Sequence, residues 1–154
     1  MTKAVGTFIA AFLLLSPLAG NAAERGSGAE ARALVEKAVA KIKTDGPKAA
    51  FAAFESKDGG FVDRDLYIFV FDFEGKVLSH GASKNLIGQN LVTQQMKDAD
   101  GKVFADEFVE VAKTRGEGWV DYKWANPVTQ AVEPKSSFVK KVDDTMLLGC
   151  GFYK

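Results

Sequence analysis

The sequence predicts a single α+β domain, in which five antiparallel strands form a sheet that packs against helices. Three observations lead to this fold class. The chain begins with an amphipathic helix, continues with two strand-like segments joined by a Gly-centred turn, and ends with a third helix followed by three further strand-like segments. Two adjacent strands, a helical crossover and a three-stranded meander together describe an antiparallel sheet with helices on it.

Residues 1–23 are predicted to be a secretory signal peptide. Lys3 supplies the positive start, Val5 to Leu18 form an apolar run, and the small residues Ala22 and Ala23 provide a cleavage site. The run of about 14 apolar residues is shorter than the roughly 20 that a spanning helix needs, which favours cleavage over a retained N-terminal anchor. We therefore expect a mature domain over residues 24–154, periplasmic or secreted.

The first part of this domain is predicted to be helical. Ser27 and Glu30 have the spacing of a capping box, and apolar residues recur at helical spacing behind them up to Lys43. Pro47 suits the first turn of a second, shorter helix, which the segment Lys57–Gly60 ends.

Strand patterns dominate the rest of the chain. Aromatic and β-branched residues predict a strand at Leu66–Asp72, and Lys76–His80 follows it after a turn. A loop over 81–100, which has room for a turn of helix, leads to a third helix around Phe104–Ala112. The remaining strands are predicted at Trp119–Trp124, Glu133–Val142 and Met146–Tyr153.

Composition excludes several classes of function. The chain has 20 basic and 20 acidic residues and no basic stripe, so nucleic-acid binding is not expected. Its single cysteine, Cys150, cannot form an intramolecular disulfide and lies in an apolar strand typical of an inert, buried thiol. One histidine and one cysteine are too few for a usual zinc site, and no G-x-S-x-G elbow is present. We therefore expect no enzyme activity, no catalytic residue, no metal and no cofactor.

Two pairs of carboxylates have a simpler explanation than catalysis. Asp63/Asp65 and Asp98/Asp100 are placed in turns, where solvation accounts for them. The stretch Asp98–Gly101 has a weak similarity to a calcium-binding loop, but the later ligands and the glutamate of that motif are missing.

Several segments together resemble the single Cache family of extracytoplasmic sensor domains. They are YIFVFDFEGKVLSHGASKNLIGQNL (Tyr67–Leu91), GWVDYKWANP (Gly118–Pro127), Lys135 with the pair Phe138-Val139, and GCGFY (Gly149–Tyr153). The resemblance implies a five-stranded PAS-like sheet with a long N-terminal helix and flanking short helices. It also implies a cavity on one face of the sheet for a small organic anion, such as a short carboxylate. Related domains usually belong to chemoreceptors or histidine kinases.

We predict six ligand-binding residues: His80, Lys135, Tyr122, Trp124, Tyr67 and Phe69. The His80 imidazole can donate a hydrogen bond to a carboxylate, and the Lys135 ammonium can hold an anion. Tyr122 and Trp124 share a strand face and add directional donors to an apolar wall. Alternative interpretations remain for each: a structural histidine, a solvated lysine, and aromatic side chains that belong to the core, with Tyr67 the best exception on its strand because of its hydroxyl.

Two functional hypotheses follow. Because the sequence ends at Lys154, directly after the last strand, we expect a ligand-binding sensor module that passes its signal to a separate membrane-bound receptor or histidine kinase. The alternative is a ligand-free interaction module, whose cavity is filled by its own side chains and which docks such a receptor or kinase.

Overall fold

The structure, a computed structural model, describes residues 24–154; the predicted signal peptide lies outside the described residues. Over this range the chain forms three α-helices and six strands. The helices are α1 (Gly28–Asp45), α2 (Pro47–Phe54) and α3 (Phe104–Arg115). The strands are β1 (Val62–Asp63), β2 (Leu66–Asp72), β3 (Val77–His80), β4 (Glu117–Ala125), β5 (Val132–Lys141) and β6 (Met146–Tyr153).

All strand pairs of the sheet are antiparallel. The order is β1-β2-β6-β5-β4, and β3 also pairs with β2. Helix α3 carries the chain from β3 to β4, at the far side of the sheet, which confirms the predicted crossover. The five predicted strands are all present. The sixth, β1, has only two residues, too few to show an alternation in the sequence.

Local sequence signals account for the first helix. The Ser27 hydroxyl accepts a hydrogen bond from the Glu30 amide (3.3 Å), and the Glu30 carboxylate accepts one from the Ser27 amide (2.8 Å), which confirms the capping box. At its other end, Gly46 has φ = 80°, a conformation that glycine adopts without strain, and the chain turns there into Pro47 and α2.

The sheet is covered on both faces, so β2 is buried on both sides. Helices α1 and α2 pack on one face, against a cluster that includes Ile68, Val70 and Phe138. Helix α3 and the segment between β3 and α3 cover the other face, where the aromatic residues Phe69 and Phe108 lie. Both faces of a central strand are therefore apolar, which explains the unbroken hydrophobic run of β2.

Cys150 and Trp119 belong to the α1 side of the sheet. Cys150 is fully buried, and this burial raises the pKa of its thiol to about 12, as expected of an inert cysteine. The Trp119 ring packs against Phe138, with 5.2 Å between ring centroids, and the side chain is 40% exposed. Neither side chain lies on the α3 face.

The segment from Gly81 to Val103 has its own hydrogen bonds. A short 3-10 turn forms at Lys84–Leu86, and the backbone of Val77 bonds to Gly88 and Gln89 at 2.8 Å each. Asp98 accepts three backbone hydrogen bonds of 2.9 Å, from Asp100, Lys102 and Lys123. The Asp98 carboxylate thus holds the turn at Asp98–Lys102 and ties it to β4.

Helices long and apolar enough to cross a membrane are not found among residues 24–154.

Candidate functional site

A small chamber lies between the sheet and α3. Its volume is about 10 Å³, close to the space that one water molecule needs. The lining is almost entirely aromatic and aliphatic: Tyr67, Phe69, Phe71, His80, Leu86, Leu91, Phe104, Phe108, Tyr122 and Trp124. Five of the six predicted ligand-binding residues therefore meet at one place. Lys135, the sixth, is not part of the lining.

A wider cleft lies next to the chamber and opens to solvent. It has a volume of about 370 Å³, and its outer rim is formed by Ala82, Ser83 and the β4–β5 connection. Four residues line both the chamber and the cleft: Tyr67, His80, Leu86 and Trp124. This volume is within the range of about 300–1,000 Å³ that is typical of small-molecule sites. A ligand that enters through the cleft would meet these four side chains first.

His80 is held as a neutral hydrogen-bond donor. Its Nδ1 accepts hydrogen bonds from the backbone amides of Ala82 (3.2 Å) and Ser83 (2.9 Å), so the ring proton is assigned to Nε2. The side chain is 5% exposed, and burial, with a smaller contribution from the charge of Lys135, lowers the pKa of His80 to about 3. The imidazole is structural, because Nδ1 holds the turn that follows β3, and the residue also lines both cavities.

Lys135 lies directly behind Tyr67. It is fully buried, which makes the solvated alternative wrong, and its Nζ lies 2.7 Å from the Tyr67 hydroxyl oxygen and 3.3 Å from that of Tyr153. Among residues 24–154 no carboxylate forms an ion pair with it. Burial lowers the pKa of Lys135 to about 7, although the nearby Cys150 and Asp65 act in the opposite direction.

The other aromatic residues contribute mainly carbon surface. The Tyr122 hydroxyl lies 3.0 Å from the hydroxyl of Ser137, and its ring stacks on Phe104 at 4.7 Å. Phe69 stacks on Phe108 at 5.2 Å. The Tyr122 hydroxyl already has a hydrogen-bond partner in the protein, and Phe69 has no polar group. Both side chains therefore present carbon surface to the chamber and form its apolar back.

The geometry agrees with a match to a known family. The profile of the family "Single Cache domain 2" matches residues 20–153, nearly the whole described chain. The chain belongs to the single Cache family. Single Cache domains are sensor and ligand-binding modules, and the PAS-like fold implied by the sequence resemblance is confirmed.

Solved structures with the same fold support this assignment. A periplasmic sensor domain of a chemotaxis protein is 30% identical, with a TM-score of 0.62 over 81% of this chain and 88% of that one. A methyl-accepting chemotaxis protein from Vibrio parahaemolyticus is 23% identical, with a TM-score of 0.69 over 81% and 86%. A Cache chemosensory domain described for its recognition of carboxylic acids is also 23% identical, with a TM-score of 0.62 over 81% and 86%. The last two comparisons support the fold alone.

Two curated proteins match part of this Cache domain. The sensor histidine kinase MctS of Rhizobium johnstonii is 33% identical over 91 residues, which are 58% of this chain and 19% of MctS. The methyl-accepting chemotaxis protein McpP of Pseudomonas putida is 28% identical over 92 residues, which are 59% of this chain and 16% of McpP. The matched part of the chain thus spans less than a fifth of the length of these relatives.

Three residues of the site were not predicted. Leu86 lies in a loop without periodicity, and Tyr153 was seen only as part of the last strand. Asp65 was interpreted as a solvated turn residue, which is wrong: it is 1% exposed and accepts a hydrogen bond from the Gly26 amide (2.7 Å). Its second carboxylate oxygen has no partner among the described residues. Turn patterns alone cannot show that a neighbouring segment will cover a carboxylate.

Proposed function

We propose that this Cache domain binds a short organic anion, most simply a short carboxylate, in the cleft at Tyr67 and His80. It acts outside the cytoplasm and passes its signal to a membrane-bound receptor or histidine kinase. The observation that carries the proposal is the pair Tyr67 and His80, which line both cavities and bear an O–H and an N–H group, with a buried lysine behind Tyr67.

The chemistry of this pair fits an anion. His80 is fixed with Nε2 as its donor by two backbone amides, and Tyr67 has a hydroxyl group beside Lys135. Donors that are already oriented lose little freedom when an anion binds, and hydrogen bonds to a charged group are stronger than neutral ones. The aromatic back of the chamber would accommodate the carbon chain of such a ligand.

The burial of Lys135 supports a functional role. A buried lysine without a carboxylate partner costs stability, because its charged form loses its hydration. Groups with strongly perturbed pKa values in a cleft are more common at functional sites than elsewhere. An anion at Tyr67 would compensate part of this cost.

The direct test is a binding screen. Acetate, propionate, butyrate, lactate and succinate are added one at a time to the purified protein, and thermal unfolding and calorimetry are measured. A binding anion at about 100 times its dissociation constant should stabilise the protein by roughly 2.7 kcal/mol, a shift of several degrees. The proposal is wrong if none of these anions stabilises the protein or produces heat of binding.

His80→Asn is expected to weaken binding of the anion by about 10- to 100-fold, the effect of losing one hydrogen bond to a charged group. The shorter side chain places an amide oxygen near the position of Nδ1, so it can still accept from Ala82 and Ser83, but it has no group at Nε2. Calorimetry measures the affinity. His80→Gln is the complementary variant: it keeps a polar group near Nε2 and loses the acceptor for the loop. Equal affinity of His80→Asn and the wild type would show that Nε2 makes no contact with the anion.

Trp124→Ala is expected to widen the passage between cleft and chamber, because Trp124 lines both. Longer anions such as butyrate should then gain affinity relative to acetate, which we would measure as a change in the ratio of their dissociation constants. Trp119→Ala is the matched control, since Trp119 lies on the same strand but on the opposite face of the sheet. A ratio that changes equally in both variants would contradict a local effect at the passage.

The small volume of the chamber favours one alternative. A space of about 10 Å³ is almost filled by the protein's own side chains, as expected of a ligand-free interaction module that docks a receptor or kinase. The double variant His80→Ala/Lys135→Ala separates the two functions. If docking does not involve a ligand, the variant should capture the membrane-bound partner as well as the wild type does. If docking depends on a bound anion, added anions should change capture by the wild type and not by the variant.

A further inference from the structure

Tyr67 separates Lys135 from both cavities. The Lys135 ammonium nitrogen lies 3.9 Å from the centre of the Tyr67 ring and 2.7 Å from its hydroxyl oxygen. Tyr67 lines the chamber and the cleft, whereas Lys135 lines neither. An anion in the cleft would therefore meet Tyr67 before it could reach the amine.

The protonation state of the amine decides what this hydroxyl can do. An ammonium group has three donors and no acceptor, so in its bond with Tyr67 the phenolic oxygen must accept, and the phenolic O–H must point to another acceptor, either the Tyr153 hydroxyl or an anion in the cleft. A neutral amine has a lone pair and can accept the phenolic proton itself. Only the ammonium form therefore prevents Lys135 from accepting the phenolic proton, which an anion in the cleft can then accept.

We propose that Lys135 is a positioning residue that contacts no ligand atom: when an anion binds beside Tyr67, Nζ takes up a proton from solvent, and the ammonium directs the Tyr67 hydroxyl to the anion. This inference rests on the proposed function of the site. One proton passes from solvent to the lysine, one negative charge enters with the anion, and the net charge of the site is unchanged.

Lys135 is the group at this site that can titrate near neutrality. Tyr67 and Tyr153 touch it, and burial raises the pKa of both phenols. Tyr122 of β4 also has a raised pKa, and His80 of β3 has its pKa lowered to about 3, so neither changes charge around pH 7. The pKa of Lys135, about 7, lies between these extremes.

The remaining groups near Lys135 do not replace it. The Asp65 carboxyl lies near the start of β2 and favours the charged form of Lys135, and the Cys150 thiol has its pKa raised to about 12. Glu133, two residues earlier on β5, pairs with Arg25. From α3, Phe104 and Phe108 face the chamber, and both are apolar.

The test is calorimetric titration of the purified protein with acetate, propionate, butyrate, lactate and succinate, each in two buffers of different ionisation enthalpy. At about pH 8.5 the free protein carries a neutral Lys135, so uptake of about one proton per bound anion is expected, falling towards none at about pH 5.5. Above the Lys135 pKa of about 7, the dissociation constant should rise about tenfold per pH unit.

Two variants identify the residues involved. Tyr67→Phe keeps the ring and removes the hydroxyl, and it should weaken binding by about 10- to 100-fold; wild-type affinity in this variant would mean that Lys135 contacts the anion directly, which overturns the inference. Lys135→Met should abolish proton uptake, while Lys140→Met, which removes a lysine paired at the surface with Glu36 and Glu117, should leave it unchanged.

The outcomes separate the two proposals. If an anion binds without proton uptake at the higher pH, the positioning role of Lys135 is wrong and the proposed function stands. If no anion in the set binds, both are wrong.

Discussion

Lys135→Met is expected to increase the free energy of unfolding at pH 7 by about 2 kcal/mol and to raise the melting temperature by several degrees. The reason is the cost of the buried amine. Its pKa is about 7 in the folded protein against an ordinary value of 10.5, so the unfolded chain binds more protons between these pH values. This difference costs about 4 kcal/mol at pH 7. The loss of a partner for the buried hydroxyl of Tyr67 offsets about 1–3 kcal/mol of the gain.

The direction in which the free energy of unfolding changes with pH is a sharper test than its value at pH 7. Because the unfolded state holds the additional proton, the wild type should become more stable as the pH rises from about 7 to 9.5, by about 3 kcal/mol from Lys135. The variant should show no such rise. Urea denaturation across this range measures both, with Lys140→Met as a control that retains the wild-type slope. Parallel pH profiles of wild type and Lys135→Met would show that Lys135 is not buried as an uncompensated amine.

Phe108→Ala is expected to destabilise the protein by about 3–5 kcal/mol, the largest single loss that we anticipate. Phe108 is 1% exposed, and its ring lies 5.2 Å from that of Phe69 and 5.3 Å from that of Tyr122. Removing it deletes packing between α3 and the sheet and leaves a cavity that rigid strands cannot close. Chemical denaturation with a fixed m-value measures the loss.

Phe73→Ala is the matched control for this deletion. Phe73 is only partly buried and lies near the amines of Lys113 (5.6 Å) and Lys141 (5.9 Å) at the surface. The same change of side chain should cost about 1 kcal/mol or less there. Similar losses in both variants would contradict the view that α3 is held by a tightly packed aromatic cluster.

The two expectations describe a site that is stabilised by one part and weakened by another. The aromatic cluster around Phe108 stabilises the packing of α3 on the sheet, whereas the burial of the Lys135 amine lowers the stability of the folded protein. Binding sites commonly retain such costly groups because replacing them improves stability at the expense of function. Lys135→Met should therefore be a more stable protein that has lost its pH-dependent response to anions.

The elements of the fold were largely predictable because their signals are local. The capping box of Ser27, the apolar period of α1 and the two-sided hydrophobicity of β2 each depend on neighbouring residues in the chain. The two-residue β1 was not predicted, and the turn of helix expected somewhere in 81–100 could not be placed at Lys84–Leu86, since segments this short show no period. Asp65 was misplaced because its burial depends on residues near Gly26, which are distant in sequence.

The sequence by itself determined the fold class, the family and the strand faces that Tyr122 shares with Trp124 and that Tyr67 shares with Phe69. Alternation along a strand decides the direction of a side chain, but it carries no information on how deeply other elements cover it. The tertiary structure alone decided that Lys135 is buried behind Tyr67, that His80 is a neutral donor, and that Leu86 lines both the chamber and the cleft. These properties arise from desolvation, which depends on contacts between segments that are far apart in the chain.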